Sequence, residues 1–310
     1  MPKQAINAWE QEIKQTICRL KAQYDYAEIV SYLTEILDDR HQNYILPHAA
    51  LERMPREMCA RLYNERGLAY LQLDASTEAE NNFRAAITAD PHSVNARFNL
   101  ANMALYAQQF AVGVTLFHDV LKLDAHHAGA LHHLGLCYAM QSKATEALSF
   151  FEQAAAITPQ NMGPNFWAGE TLVHLQRFAE ALPYFVKSLA IMPDYQDALR
   201  GVAICQFELE DYVACVATCD ALLALGQGAE FIAWQMKGDA LLAMGRGEEG
   251  ALCHVHMLNL DFDARYYAEM RSKQLKEQEN PAAELYAKII TEHIPLLDAE
   301  FIQQYSSHAA

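Results

Sequence analysis

Apolar positions at helical spacing run along most of this chain, with short polar stretches between them. Near the start, Ile29, Leu33, Ile36 and Leu37 form a stripe on one helical face. They predict a helix over Ala27–Arg40, preceded by another over Ile6–Ala22. From residue 60 onward the pattern becomes periodic. Small residues recur at Gly67, Ala101, Gly135, Gly169, Ala203 and Gly238, with intervals of 34 residues and one of 35. Twelve residues after each stands a second small position: Ala79, Gly113, Ala147, Ala181, Cys215 and Gly250. Four residues further on, the first four units carry Phe83, Phe117, Phe151 and Phe185, whereas the fifth has Cys219 and the sixth His254. Pro91, Pro159 and Pro193 close three of the units, because proline cannot continue a helix.

A fixed period of this length is the mark of stacked supersecondary units. Spacing and residue type together resemble the tetratricopeptide repeat, a helix-turn-helix of 34 residues, and its Gly-x-x-Tyr step recurs at Gly67/Tyr70 and Gly135/Tyr138. The resemblance covers roughly 60–264, as six repeats beginning near Ala60, Val94, Ala128, Met162, Gln196 and Phe231. It implies an all-α fold, a right-handed α-solenoid. Helices of a dozen residues are marginal alone; stacking gives them a continuous core. On this reading 1–59 is an N-terminal helical cap, a degenerate repeat plus a connecting loop over His41–Pro55. Residues 265–310 are capping helices, broken at Asn280-Pro281, with Leu285, Ile289 and Ile290 on an amphipathic lid.

The resemblance further implies that the first helix of each repeat lines a concave groove for a partner segment. The corresponding positions include Asn64, Asn95, Phe98, Asn102, Tyr106, His132, Phe166, Glu170, His174, Arg200 and Phe207. Asparagine offers a donor and an acceptor to a peptide backbone, and aromatic rings offer anchors at low entropy cost. The alternative for some of these rings is packing between repeats. The Lys-x3-Asn and Lys-x3-Arg pairs that bind C-terminal carboxylates in part of the family do not stand at the matching positions. The Asn ladder of the repeat-bearing glycosyltransferases is missing too.

Composition adds exclusions. The chain has 310 residues with 23 Lys and Arg against 39 Asp and Glu, a formal charge of -16. That balance disfavours a nucleic-acid binder, which needs basic side chains to displace counterions. Most of the excess lies in 60–264, where 11 bases face 23 acids. First helices are balanced in charge, so the acidity reads as a solubility coat and the groove predicts weak salt dependence. No apolar run is long enough for a membrane span or placed for a secretory signal. Seven cysteines, an odd number, fit reduced thiols in a cytoplasm.

Chemistry-bearing clusters are few. His126-His127 and His132-His133 could suggest a metal, but adjacent helical residues diverge and no third ligand converges. Cys205, Cys215 and Cys219, and equally Cys253, His254 and His256, fall on repeat core positions and read as buried packing. No nucleotide loop, nucleophile elbow or metalloprotease motif is present. The expectation is a cytoplasmic, non-enzymatic adaptor or scaffold without cofactor or metal, binding a protein or peptide partner. Self-assembly through the terminal helices is the alternative, and a secretion-type chaperone a further one.

Overall fold

The computed structural model describes residues 3–37, 54–226, 228, 230–258 and 264–292. Among these every regular element is a helix. In chain order they are α1 (Lys3–Ala22), α2 (Tyr26–Leu37), α3 (Arg56–Gln72), α4 (Ser76–Ala89), α5 (Val94–Tyr106), α6 (Phe110–Leu123), α7 (Ala128–Ala139), α8 (Ala144–Ile157), α9 (Met162–His174), α10 (Phe178–Ile191), α11 (Gln196–Glu208), α12 (Tyr212–Leu225), α13 (Glu230–Ala243), α14 (Gly247–Leu258) and α15 (Ala264–Glu277); α16 spans 283–292. The chain divides into two compact units, Met1–Ile157 with α1–α8 and Thr158–Ala310 with α9–α16. Each is a stack of helical hairpins, so the chain is an all-α repeat protein. The expected helix starts at Val94, Ala128, Met162 and Gln196 are those observed. α3 begins four residues before Ala60 and α13 one residue before Phe231, while the expected end of α2 at Arg40 lies outside the described residues. Most of the connection expected over His41–Pro55 lies outside the described residues.

One turn closes every hairpin. Its central residue has positive φ: Tyr24, Asp74, Gln108, Ser142, Gln176, Glu210, Gly245 and Glu279. The following amide donates to the carbonyl five residues back, from Ala75 to Tyr70 at 2.9 Å, Gln109 to Ala104 at 2.8 Å and Arg246 to Leu241 at 2.9 Å, with equivalent bonds in the other five turns. This is the helix C-terminal closure that satisfies otherwise orphaned carbonyls. Only Gly245 adopts the left-handed conformation without a Cβ penalty. The turns at Tyr24 and Glu279 show that α1–α2 and α15–α16 are hairpins of the same kind.

The core follows the small-residue rule. A Cβ on Gly67 would come within 2.7 Å of the Phe83 ring, one on Gly135 within 2.6 Å of Phe151, and one on Gly169 within 2.9 Å of Phe185. Phe83, Phe117, Phe151 and Phe185 are fully buried. The absent side chains are the space these rings occupy. Replacing such a glycine by leucine would overpack the hairpin, which costs about 1–3 kcal/mol. In the fifth repeat Cys219 takes the slot among Ala203, Cys215 and Ala240, and is equally buried.

Candidate functional site

In the first unit, two regions of first helices offer contact surfaces. The first is a cavity of about 220 Å³ between α1 and α3, reaching the start of α5. Its floor is Ile13 and Ile17 from α1 with Met58 and Leu62 from α3, all buried in the N-terminal core. Its rim is charged. Arg61 pairs with Glu10 at 2.6 Å and Lys21 with Glu65 at 2.6 Å, both bridging α3 to α1, while Lys14 stands 3.6 Å from the shared Glu10. Asn64 and Asn95 also line it, as does the exposed Cys18. Asn95 is exposed, as expected. Asn64 is not: it is only 8% exposed, and its Oδ1 accepts a hydrogen bond from Asn99 Nδ2 at 2.8 Å. The expectation of an open groove residue at 64 is corrected accordingly, since the amide is sunk into the cavity wall.

The second region lies on α5 and α7. Phe98 stacks on His133 with centroids 5.4 Å apart and meets His127 at a tilt with centroids 4.8 Å apart. Asn102 Oδ1 lies 2.6 Å from His133 Nδ1, so the ring is held in one orientation. His132 packs against Phe151 at 5.7 Å, and its Nδ1 is buried with no hydrogen-bond partner among the described residues. Burial, reinforced by a neighbouring imidazole, pushes His132 and His133 each down to about 4. Both are neutral rings at pH 7. Phe98 and Asn102 are half-buried and spend their surface on these rings, whereas Tyr106, at the end of α5, is 77% exposed.

In the second unit the candidates divide similarly. Phe166 is only 7% exposed, with its ring edge-on to Trp167 at 5.5 Å and to Tyr195 at 5.1 Å. Here too an exposed anchor is corrected to a packing residue, because the ring fills space between α9, α10 and the start of α11. Phe207 is half-buried against Tyr212 at 5.5 Å. His174 is exposed at the end of α9. Glu170 is half-buried, and desolvation raises its carboxyl above the usual range, opposed by Arg200 and assisted by Asp197. Arg200 itself pairs with Asp197 at 3.2 Å.

A buried polar cluster in α13–α16 was not legible beforehand. His254 is fully buried in the slot that holds phenylalanine elsewhere. Its Nδ1 lies 2.8 Å from the Tyr286 hydroxyl and its Nε2 3.2 Å from the Gln235 carbonyl. The Tyr286 hydroxyl therefore donates to Nδ1 and Nε2–H donates to the carbonyl, which satisfies a neutral imidazole. The Tyr267 hydroxyl donates to Asp239, whose other oxygen is 2.8 Å from Arg271 Nε. Asp239 is thus engaged with α15. Burial lowers the His254 pKa, opposed by the Asp239 charge and the bond to Gln235. The α1 residues Glu10, Lys14 and Lys21 were missed as well. Their spacing on one helical face is a signal, but it lies outside the repeat register. Among the described residues no three His, Cys, Asp or Glu side chains are grouped to hold a metal ion, and no helix is long and apolar enough to cross a membrane.

Family models of the tetratricopeptide repeat match residues 60–93, 98–161 and 172–237. No curated protein matches the sequence. Solved structures give the same fold. pilF of Pseudomonas aeruginosa aligns with TM-score 0.58 and 21% identity over 70% of this chain and 99% of its own. YrrB, described as a TPR protein with an unusual peptide-binding site, aligns with TM-score 0.55 and 19% identity over 58% and 93%. A tetratricopeptide repeat protein from Parabacteroides merdae covers 92% of this chain and 98% of its own with TM-score 0.53 and 14% identity. At these identities the likeness concerns the fold alone.

Proposed function

This chain belongs to the tetratricopeptide repeat family, and from that premise we propose that it is a non-enzymatic interaction scaffold that takes a peptide or helical segment of a partner protein on its first helices. One observation carries the reading. Buried second-helix rings pack closely against the first helices of the first unit, while those helices leave Asn95 and Tyr106 exposed and a cavity open between α1 and α3. Rigid elements presenting amides and an aromatic ring suit capture of an extended or helical segment. YrrB, a structure of the same fold, is described as having a peptide-binding site, which supports the class of ligand. The net charge of -16 supports a protein partner over a polyanion. The capping roles of 1–59 and 265–310, and a cytoplasmic location, belong to this proposal.

A photo-crosslinking amino acid placed at Asn95 or Tyr106, and separately at Val112 on the exposed face of α6, tests it in native extract. Partner adducts at 95 and 106 with none at 112 are expected. Adducts only at 112 would refute docking on first helices. A second reading, self-association through the C-terminal hairpin, draws on the exposure of Met270 and Leu285 on α15 and α16. Light scattering over a concentration series decides it, since a constant monomer mass rules it out.

A further inference from the structure

Building on the docking reading above, we propose that the cavity between α1 and α3 is the anchor site for an acidic peptide segment carrying one aliphatic side chain. Size sets the first condition. Pockets that enclose whole small ligands run to about 300–1,000 Å³. About 220 Å³ is smaller, and suits one side chain of a longer segment. The floor of Ile13, Ile17, Met58 and Leu62 calls for an aliphatic group.

A buried amide sets the second. Asn64 is more than nine-tenths buried and lines the cavity, with its Oδ1 occupied by Asn99. Its Nδ2 has no acceptor among the described residues. The residue is buried but its Nδ2 is not sealed from solvent: it opens into the cavity, where the backbone carbonyl of an inserted segment can replace water as its acceptor.

Charge sets the third. The rim holds three bases and two acids. Arg61 and Lys21 each hold a carboxylate at 2.6 Å, which uses both acids. Lys14 is the surplus base, exposed and 3.6 Å from a Glu10 already shared with Arg61. A locally positive rim on a chain of charge -16 selects a carboxylate. α1 lies outside the residues matched by the repeat models, which begin at 60, so one wall of the site comes from this chain's own N-terminal hairpin and the other from the first matched repeat.

The test uses the full chain and three fluorescent twelve-residue peptides: a central Leu flanked by Asp, the same flanked by Lys, and the Asp version with Ala for Leu. Anisotropy should show the first binding at least tenfold tighter than the others. Because Cys18 is exposed in the cavity, that peptide should also slow Cys18 alkylation, followed by mass spectrometry, at least fivefold. Cys18→Trp fills the cavity and should abolish binding, and Lys14→Glu should weaken it about fivefold, the scale of one exposed ion pair. Both changes sit on exposed side chains and should leave the thermal melt in place. Equal binding of the Lys-flanked peptide, no binding of any of them, or wild-type affinity in Cys18→Trp would each overturn the proposal. Partner adducts at Tyr106 with Cys18 still freely alkylated would overturn this anchor and leave the scaffold reading standing.

Discussion

In the third repeat the ring of Phe151 lies against Gly135; in the sixth the ring of His254 lies against Gly238, where a Cβ would approach within 2.3 Å. The two slots have the same shape and opposite chemistry. Phe151 needs only apolar contact. His254 needs a hydrogen-bond partner for each nitrogen and takes them from Gln235 on α13 and Tyr286 on α16. The phenylalanine repeat is held by packing that any well-sized neighbour supplies. The histidine repeat is tied to the final hairpin by directional bonds, which specify one neighbour and expose it to titration. A polar ring in a repeat core is therefore informative about what stacks next, where an apolar ring is not.

Four experiments break or sharpen this contrast. The largest effect is expected from Phe151→Ala, which leaves a cavity against Gly135 and should cost about 3–5 kcal/mol in urea denaturation. A loss below about 1 kcal/mol would mean that the slot collapses freely and that packing does not hold the repeat.

Acid comes next. His132 and His133 titrate near 4 in the folded chain and near 6.5 when unfolded. The unfolded chain therefore binds protons first, so their contribution is complete above about pH 6.5 and is lost as pH falls toward 4. Allowing for their partial exposure, the pair should account for on the order of 3 kcal/mol. The depressed His254 acts in the same sense. Hydrogen exchange of α7 and α14 at pH 7.5 and 4.5 measures the two sites separately, and protection that does not change would contradict the neutral-ring assignment.

Third, His254→Phe restores the ring of the earlier repeats but strands the buried Tyr286 hydroxyl. The expected cost is about 1–3 kcal/mol. His254→Phe combined with Tyr286→Phe should recover part of it. If the double variant is no better than the single, the hydroxyl bond is not what ties α16 to this repeat. The smallest effect concerns the turns. Gln108 carries the left-handed strain that Gly245 avoids, so Gln108→Gly should stabilise by about 0.5 kcal/mol, the strain relieved less the chain entropy of glycine. A melting temperature that falls instead would show that Gln108 has a role beyond the turn.

The repeat register was legible because it rests on local chemistry. Gly67, Gly135 and Gly169 stand where rings must enter, and spacing alone reveals them. Surface roles were legible only in part. Asn95, Tyr106 and His174 are exposed as their positions imply, but Phe166 and Asn64 are buried, because how far a side chain sinks depends on neighbours in the next helix. His254 was recognised as a core residue, yet Tyr286 lies 32 residues away in a hairpin where Glu284 and Lys288 stand in place of the repeat's small and ring residues. The cavity at α1 was hidden for the same reason, since the 34-residue register that marks the repeats does not reach residues 3–37.

The eight left-handed turns have a consequence for how this chain could be rebuilt. Each is closed by hydrogen bonds internal to one hairpin, so a hairpin with its turn is a transplantable cassette. The single added residue of the period falls between Glu210 and Gly245 and leaves the closure at Gly245 unchanged. Length variation is thus absorbed in the joints between cassettes. Hairpins could be duplicated, deleted or exchanged with their turns intact, and a longer or shorter scaffold made by recombination at those joints.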